Sequence, residues 1–308
     1  MSIVNPVLGR EVRERLRTGR SFVSLTLFLA LLTLLTWAVA TVTTRQDQFN
    51  NFDVSRITTS GRTVLDALVI GMLALMVFLL PGIAATAVTG ERERQTLIPL
   101  QISMLRPRSI LIGKVLSAAA YATLMLLAAM PLFATAYLLG GVSALDTVRT
   151  LLALIFVAAL ITTFCVAWST IVRRSAAAVV VSYAFTLLLF VGAPILYSLA
   201  AVVAEPTVRP DGSSEPREKR IMLANPVVAI ALLQQPGDRT DTNGGALDGL
   251  RDSMRQGEWD NRGVRQIGPT SVLGVPDWIV SVGTLSIFAF GAGVIGTRRL
   301  RTPTKSER

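Results

Sequence analysis

Apolar residues fall in six long runs: Phe22–Thr43, Thr63–Thr89, Ile110–Leu139, Val148–Val172, Ala176–Ala204 and Trp278–Thr297. Each is about 20 residues or longer, the length an α-helix needs to cross the hydrocarbon core of a bilayer. The pattern predicts an all-α integral membrane protein with six transmembrane helices. An even number of spans puts both termini on one side.

The polar segments between the runs carry patterns of their own. In Asn5–Arg20, Leu8, Val12 and Leu16 recur every fourth position, while Arg10, Arg13, Arg17 and Arg20 follow another face. Asn5-Pro6 is a helix start, a side-chain cap followed by a ring that fixes the backbone where no N–H is needed. The spacing predicts an amphipathic helix lying along the membrane surface; a basic flank that only orients the first span needs no such period. The first run follows five arginines and has no small-residue cleavage site, so a retained span is expected rather than a signal peptide.

Between the second and third runs lies GERERQTLIPLQISMLRPRSILIGK, Gly90–Lys114. Glu91 and Glu93 alternate with Arg92 and Arg94, so the second helix is expected to continue beyond the apolar run. Pro99 stops any long continuation. Leu97, Leu100 and Met104 share one face, and Pro107 turns the chain into the third span. The result is a short helical elbow with a charged shoulder and an apolar side.

The longest polar segment, Glu205–Pro276, contains ANPVVAIALLQQPG at Ala224–Gly237, a second Asn-Pro start closed by Pro-Gly. It predicts an apolar helix near 225–235, too short to span, that lies at the surface or dips back into the bundle. The segment either contacts cargo or a partner or is a tolerated insertion. The chain thus divides into a surface helix over 1–21, five spans over 22–204 with the elbow at 90–109, a loop over 205–276, a sixth span over 277–297 and a basic tail over 298–308.

Details inside the spans refine this outline. Pro81, Pro131 and Pro194 each remove a backbone donor and are expected to kink their helices. GAGVIG at Gly291–Gly296 places Ala289/Gly293 and Ala292/Gly296 four apart, a spacing that suits close packing within the bundle. Asp66 and Lys114 stand near span edges, where both are expected to reach water. Cys165 is expected to be a small apolar core residue.

Composition agrees with the pattern. Of 308 residues, 51% are hydrophobic and only 16% charged, below the roughly 25% of ordinary globular chains. The net charge of +10 is distributed by topology and does not call for nucleic acid. Segments on the side of the termini hold 17 basic and 5 acidic residues, and the opposite side holds 13 basic and 15 acidic ones. By the positive-inside rule both termini and the elbow are expected to be cytoplasmic.

Candidate chemistry is sparse. The chain has no histidine, which removes imidazole acid–base catalysis, HExxH metal sites and Ser-His-Asp triads. Its single cysteine permits no disulfide within the chain. No pair of acids lies within the spans to bind a coupling ion or relay protons, which argues against ion-driven transport. An integral membrane enzyme finds no reactive constellation here.

GERERQTL followed by LRPRSILIGK resembles the coupling segment of type-2 ABC exporter permeases, and NPVLGREVRERLRTGRSF resembles the N-terminal connecting helix of that family. The resemblance covers Asn5–Ala30 and Leu79–Pro131; elsewhere it is confined to the six-span layout. It implies that Glu91, Arg92, Glu93, Arg94, Gln95 and Thr96, with Leu97, Leu100 and Met104, form a coupling helix that engages a groove on an ATP-hydrolysing subunit. It also implies that Arg10, Glu11, Arg13 and Arg17 belong to the connecting helix. Gln95, Pro99 and Arg106 depart from the family's frequent glycine, helix-compatible residue and capping serine.

No GxxxxGK[ST] phosphate loop occurs; Ile112-Gly113-Lys114 supplies only its end, with Arg108 where the first glycine belongs. ATP and Mg are therefore expected on a separate ABC ATPase, and this chain is expected to bind no cofactor or metal and to have no catalytic residue. The resemblance further implies a second permease chain, identical or different, in the bacterial plasma membrane. It implies efflux of a cargo the residues do not specify, with a drug- or lipid-like amphiphile suiting the span composition. A non-transporting membrane component of an ABC-type signalling or scaffold complex fits the same residues.

Overall fold

The computed structural model describes residues 19–49, 54–95, 107–140, 142–203, 207–208, 214–215, 222–233, 247, 271–272 and 275–301. The helices are α1 (Gly19–Phe49), α2 (Val54–Ala84), α3 (Thr89–Glu93), α4 (Pro107–Ala128), α5 (Met130–Leu138) and α6 (Ala144–Ile171). They continue with α7 (Ser175–Leu187), a π-helical turn (Leu188–Gly192), α8 (Ala193–Val203), α9 (Pro226–Leu233) and α10 (Asp277–Arg301). Among the described residues, strand structure is limited to two antiparallel ladders of two residues each, with Thr207 opposite Glu215 and Ser271 opposite Pro276. The all-α membrane architecture expected from the apolar runs is the one observed.

Among the described residues, six stretches are long and apolar enough to cross a membrane: Phe22–Val42, Gly61–Glu93, Arg108–Leu138, Ala144–Ile171, Ser175–Leu196 and Trp278–Leu300. They alternate in direction between an arginine-rich end, carrying α3, and a loop end, carrying α9. The fourth span is the axis: 72% of its most apolar window is buried, against 17% for the first and sixth spans. It packs on the second, third, fifth and sixth spans, and its Leu154 and Ile161 share a core with Leu68, Met72, Leu80 and Leu126. The helix starts with a reciprocal cap: Ser143 Oγ accepts the Asp146 N–H at 3.1 Å and donates to its carboxylate at 2.7 Å. The first span lies outside, against α2, and is tied to α4 by a 2.6 Å hydrogen bond between Ser24 and Tyr121.

Two of the three in-span prolines follow a discontinuity, and the third lies shortly before a helix end. Pro81 stands three residues before α2 ends, Pro131 follows the break at Ala129, and Pro194 follows the π turn. Loss of a helical N–H accounts for the breaks just before Pro131 and Pro194, whereas Pro81 stays inside α2.

The buried charges correct one expectation. Asp66 and Lys114 do not reach water: each is 1% exposed. Asp66 Oδ2 accepts the Leu247 N–H at 3.2 Å, and Leu247 itself is buried in the main core. Leu247 thus sits on the loop end of the bundle, with its amide against the carboxylate. The short apolar helix resolves the alternatives left open for it. In α9, Val228, Ala229, Ile230, Ala231 and Leu232 are all buried, against Leu160 and Phe164 of the fourth span and Val280 and Leu285 of the sixth. It dips into the bundle because a helix apolar on every side has no face to offer water.

Glycines separate tight contacts from open ones. A Cβ at Gly61 would collide with the Gly140 carbonyl and come within 2.7 Å of the Ala136 carbonyl, so α2 and the turn after α5 touch backbone to backbone. Of the GAGVIG glycines only Gly296 is in contact, 3.4 Å from Leu111; nothing lies within 4 Å of a Cβ at Gly291 or Gly293. Gly61→Ala is therefore expected to destabilise the protein by roughly 1–3 kcal/mol through overpacking against rigid carbonyls. Gly293→Ala is expected to be neutral or slightly stabilising, and thermal unfolding in detergent compares the two.

Candidate functional site

Helix α3 is five residues, TGERE, and begins after the turn Ala85–Val88 that interrupts the end of the second span. Successive residues on a helix point about 100° apart, so three adjacent long side chains reach three different neighbours. Glu91 Oε1 lies 2.8 Å from Lys114 Nζ in α4. Arg92 Nη1 donates to the Val172 carbonyl at 3.0 Å, just past the end of α6. Glu93 Oε1 accepts the Ser175 N–H at 2.7 Å, at the first residue of α7. The third, fourth and fifth spans are each held by one residue of the elbow.

The alternating signs follow from what each residue meets. The last carbonyls of a helix lack partners and carry partial negative charge, and the first N–H groups carry partial positive charge. Arg92 answers the carbonyl end of α6, and Glu93 answers the amide end of α7, whose N-cap Arg174 makes no capping hydrogen bond with its side chain. Together they clamp the turn that joins the fourth and fifth spans. Reversing the order of signs would put each charge against the wrong helix end.

The interruption before α3 is served by other spans. Lys114, buried to 1% exposure, donates to the Ala87 carbonyl at 2.8 Å in addition to pairing with Glu91. Ser169 Oγ of the fourth span accepts the N–H groups of Val88 at 3.0 Å and Thr89 at 3.1 Å, filling both lone pairs of one hydroxyl. A buried ammonium is tolerated only when oxygen atoms surround it, which this carbonyl and carboxylate do. The helix therefore breaks at a buried joint whose freed backbone groups are held by the third and fourth spans.

Beyond the clamp the chain turns outward. Gln95 has a positive φ of 58° and donates its N–H to the Arg92 carbonyl at 3.1 Å. This is the left-handed position that ends many helices and favours glycine, at a cost of about 1 kcal/mol for a residue with a Cβ. The glutamine where the family pattern has glycine thus takes the glycine conformation. The side chains of Glu93, Arg94 and Gln95 are exposed.

Of the residues singled out from sequence, Glu91, Arg92 and Glu93 come together on the bundle, and Arg94 and Gln95 face outward beside them. Thr96, Leu97, Leu100 and Met104 lie outside the described residues, as do Arg10, Glu11, Arg13 and Arg17. Lys114, Ser169, Val172 and Ser175 were not anticipated as parts of this site. A lone lysine in an apolar helix was a visible signal for the first; a serine among many span hydroxyls gave none for the second. Among the described residues, no group of three or more His, Cys, Asp or Glu side chains is placed to hold a metal ion.

The family described as ABC-2 family transporter protein matches residues 6–292. The chain belongs to the ABC-2 transporter family. Comparison with curated proteins yields no match. The ABC-2 match makes this chain a membrane permease of an ABC transporter, a component that associates with an ABC ATPase and is not itself one. In the ABC-2 permease Glu91, Arg92 and Glu93 hold the ends of three neighbouring spans.

Lys114→Met or Glu91→Gln alone removes the opposite charge from one member of the pair. Each is expected to destabilise the permease by about 2 kcal/mol, less than the roughly 3–5 kcal/mol of a fully buried pair because Glu91 is 31% exposed. The double substitution is expected to cost less than the sum of the two, as a double-mutant cycle of thermal unfolding measures.

Proposed function

We propose that this ABC-2 permease is the membrane subunit of an exporter driven by a separate ABC ATPase that binds ATP and Mg, with the arginine-rich end in the cytoplasm of a bacterial cell. The observation that carries the reading is the grip of Glu91, Arg92 and Glu93 on three different spans, immediately beside the exposed Arg94 and Gln95. A partner that presses on the exposed shoulder moves α3. The displacement passes through Arg92 and Glu93 to the turn between the fourth and fifth spans, and through Lys114 to the third. Because the fourth span is the axis of the bundle, moving its end changes the tilt of its neighbours, a rigid-body shift of packed helices.

Two permease chains enclose the cargo path in this reading, and the segment from Thr96 to Met104 completes the surface offered to the ATPase. By family resemblance, Arg10, Glu11, Arg13 and Arg17 of the connecting helix contribute to the same coupling surface. The cargo class that suits the aliphatic and aromatic span surfaces is a drug- or lipid-like amphiphile. The excess of basic residues at the arginine-rich end supports its cytoplasmic placement.

Contact and transmission are separable. Arg94→Glu alters the exposed shoulder and is expected to reduce co-purification of the ATPase several-fold while the permease still folds. Glu93→Ala cuts the link to α7; it is expected to retain the ATPase but lose most ATP-dependent movement of a fluorescent phospholipid analogue in proteoliposomes. Unchanged ATPase retention by the first variant and unchanged flux by the second overturn the reading. ATP hydrolysis without flux in the unaltered complex favours a signalling or scaffold role instead. A cysteine at position 94 that reacts only from outside the cell sinks the orientation.

A further inference from the structure

The loop end contains a joint that the elbow does not explain. The fifth span is discontinuous: α7 passes through the π turn Leu188–Gly192 into α8, whose second residue is Pro194. In a regular helix the N–H of residue 194 would serve the carbonyl of Phe190, but proline has no N–H. Phe190 is buried, in a setting where an unserved carbonyl is costly. Its carbonyl accepts instead from Asn225 Nδ2 at 2.9 Å.

Asn225, 1% exposed, is the residue before α9. Its Oδ1 accepts the Val227 N–H at 2.8 Å, the capping bond that starts α9, and its backbone carbonyl accepts the Ala229 N–H at 3.1 Å. Only one orientation of the amide satisfies both side-chain bonds. One carboxamide thus caps a loop helix with its oxygen and mends a transmembrane helix with its nitrogen. The preceding residues are fixed to the sixth span, where Ser281 Oγ donates to the Leu223 carbonyl at 2.6 Å.

We infer that Asn225 is a positioning residue that substitutes for the N–H missing at Pro194, so that the bend of the fifth span is set by the loop helix α9. Helix α9 then acts on the bundle, because drawing it outward removes the donor that holds the bend. The inference is independent of the ATPase and of the cargo.

The test uses the full chain in lipid nanodiscs with spin labels at Ala177→Cys and Leu199→Cys, both exposed positions on either side of the bend. Along an unbroken helix these Cα atoms would be about 33 Å apart. The native Cys165 is buried and escapes labelling. The parent is expected to give one narrow distance distribution.

Asn225→Ser keeps a hydroxyl cap for α9 but is too short to reach Phe190; it is expected to broaden the distribution at least twofold. In the Pro194→Ala background, where the backbone N–H is restored, the same substitution is expected to leave the distribution narrow. No broadening by Asn225→Ser overturns the inference, and so does broadening that persists undiminished with Ala at 194. If Asn225→Ser aggregates, rescue of a monodisperse protein by Pro194→Ala supports the inference, and aggregation of both variants overturns it.

Discussion

A lysine ammonium enclosed by apolar helices must find oxygen atoms, and the arginine-rich end of this permease is arranged around that requirement. Lys114 meets the Ala87 carbonyl and the Glu91 carboxylate, each at 2.8 Å. The carbonyl is available because the chain breaks its helix between Ala84 and Thr89, and the carboxylate is within reach because α3 begins immediately afterwards. Ser169 stabilises the same break from the fourth span. Charge burial, helix interruption and elbow placement are thus one structural solution: without the break Lys114 lacks its carbonyl, and without Lys114 and Ser169 the broken backbone is left buried and unserved.

The two ends of the bundle solve the same problem with different chemistry. At the arginine-rich end, charged side chains answer helix termini: Arg92 a carbonyl end and Glu93 an amide end. At the loop end, where Asn225 and Phe190 are buried, a neutral carboxamide answers a carbonyl and an amide together. Charges suit partly exposed termini that can keep some hydration; a deeply buried site favours a neutral group that fills both of its hydrogen-bonding roles. The fifth span is held at both places, by Glu93 at its first residue and by Asn225 at its bend. The span that connects the elbow to the loop helix is therefore restrained by residues outside itself.

Much of the architecture was legible along the chain because it depends on local quantities. Run length and apolarity fix where a helix can cross a bilayer, and the six expected spans lie close to the six observed. Proline lacks an N–H wherever it occurs, so Pro131 and Pro194 mark helix interruptions, whereas the helix runs on past Pro81. Asn225-Pro226 marked a helix start for the same reason. Alternating charge after an apolar run coincides with the short helix α3, and the family resemblance of GERERQTL agrees with the match over residues 6–292.

The sequence by itself determined the elements, their breaks and their alternating direction, since each follows from side-chain chemistry within a few residues. Only the tertiary structure decided partners. Ser169 serves Thr89 from 80 residues away, and Glu93 caps Ser175 across 82. Lys114 and Asp66, at span edges where water was the expected neighbour, were claimed by a carbonyl, a carboxylate and a loop amide. Gly61 and Gly293 look alike in sequence, yet one faces backbone and the other open space. The physical reason is common to all of them: a donor or a cavity is completed by whichever distant segment packing brings within about 3 Å, and no local pattern encodes that proximity.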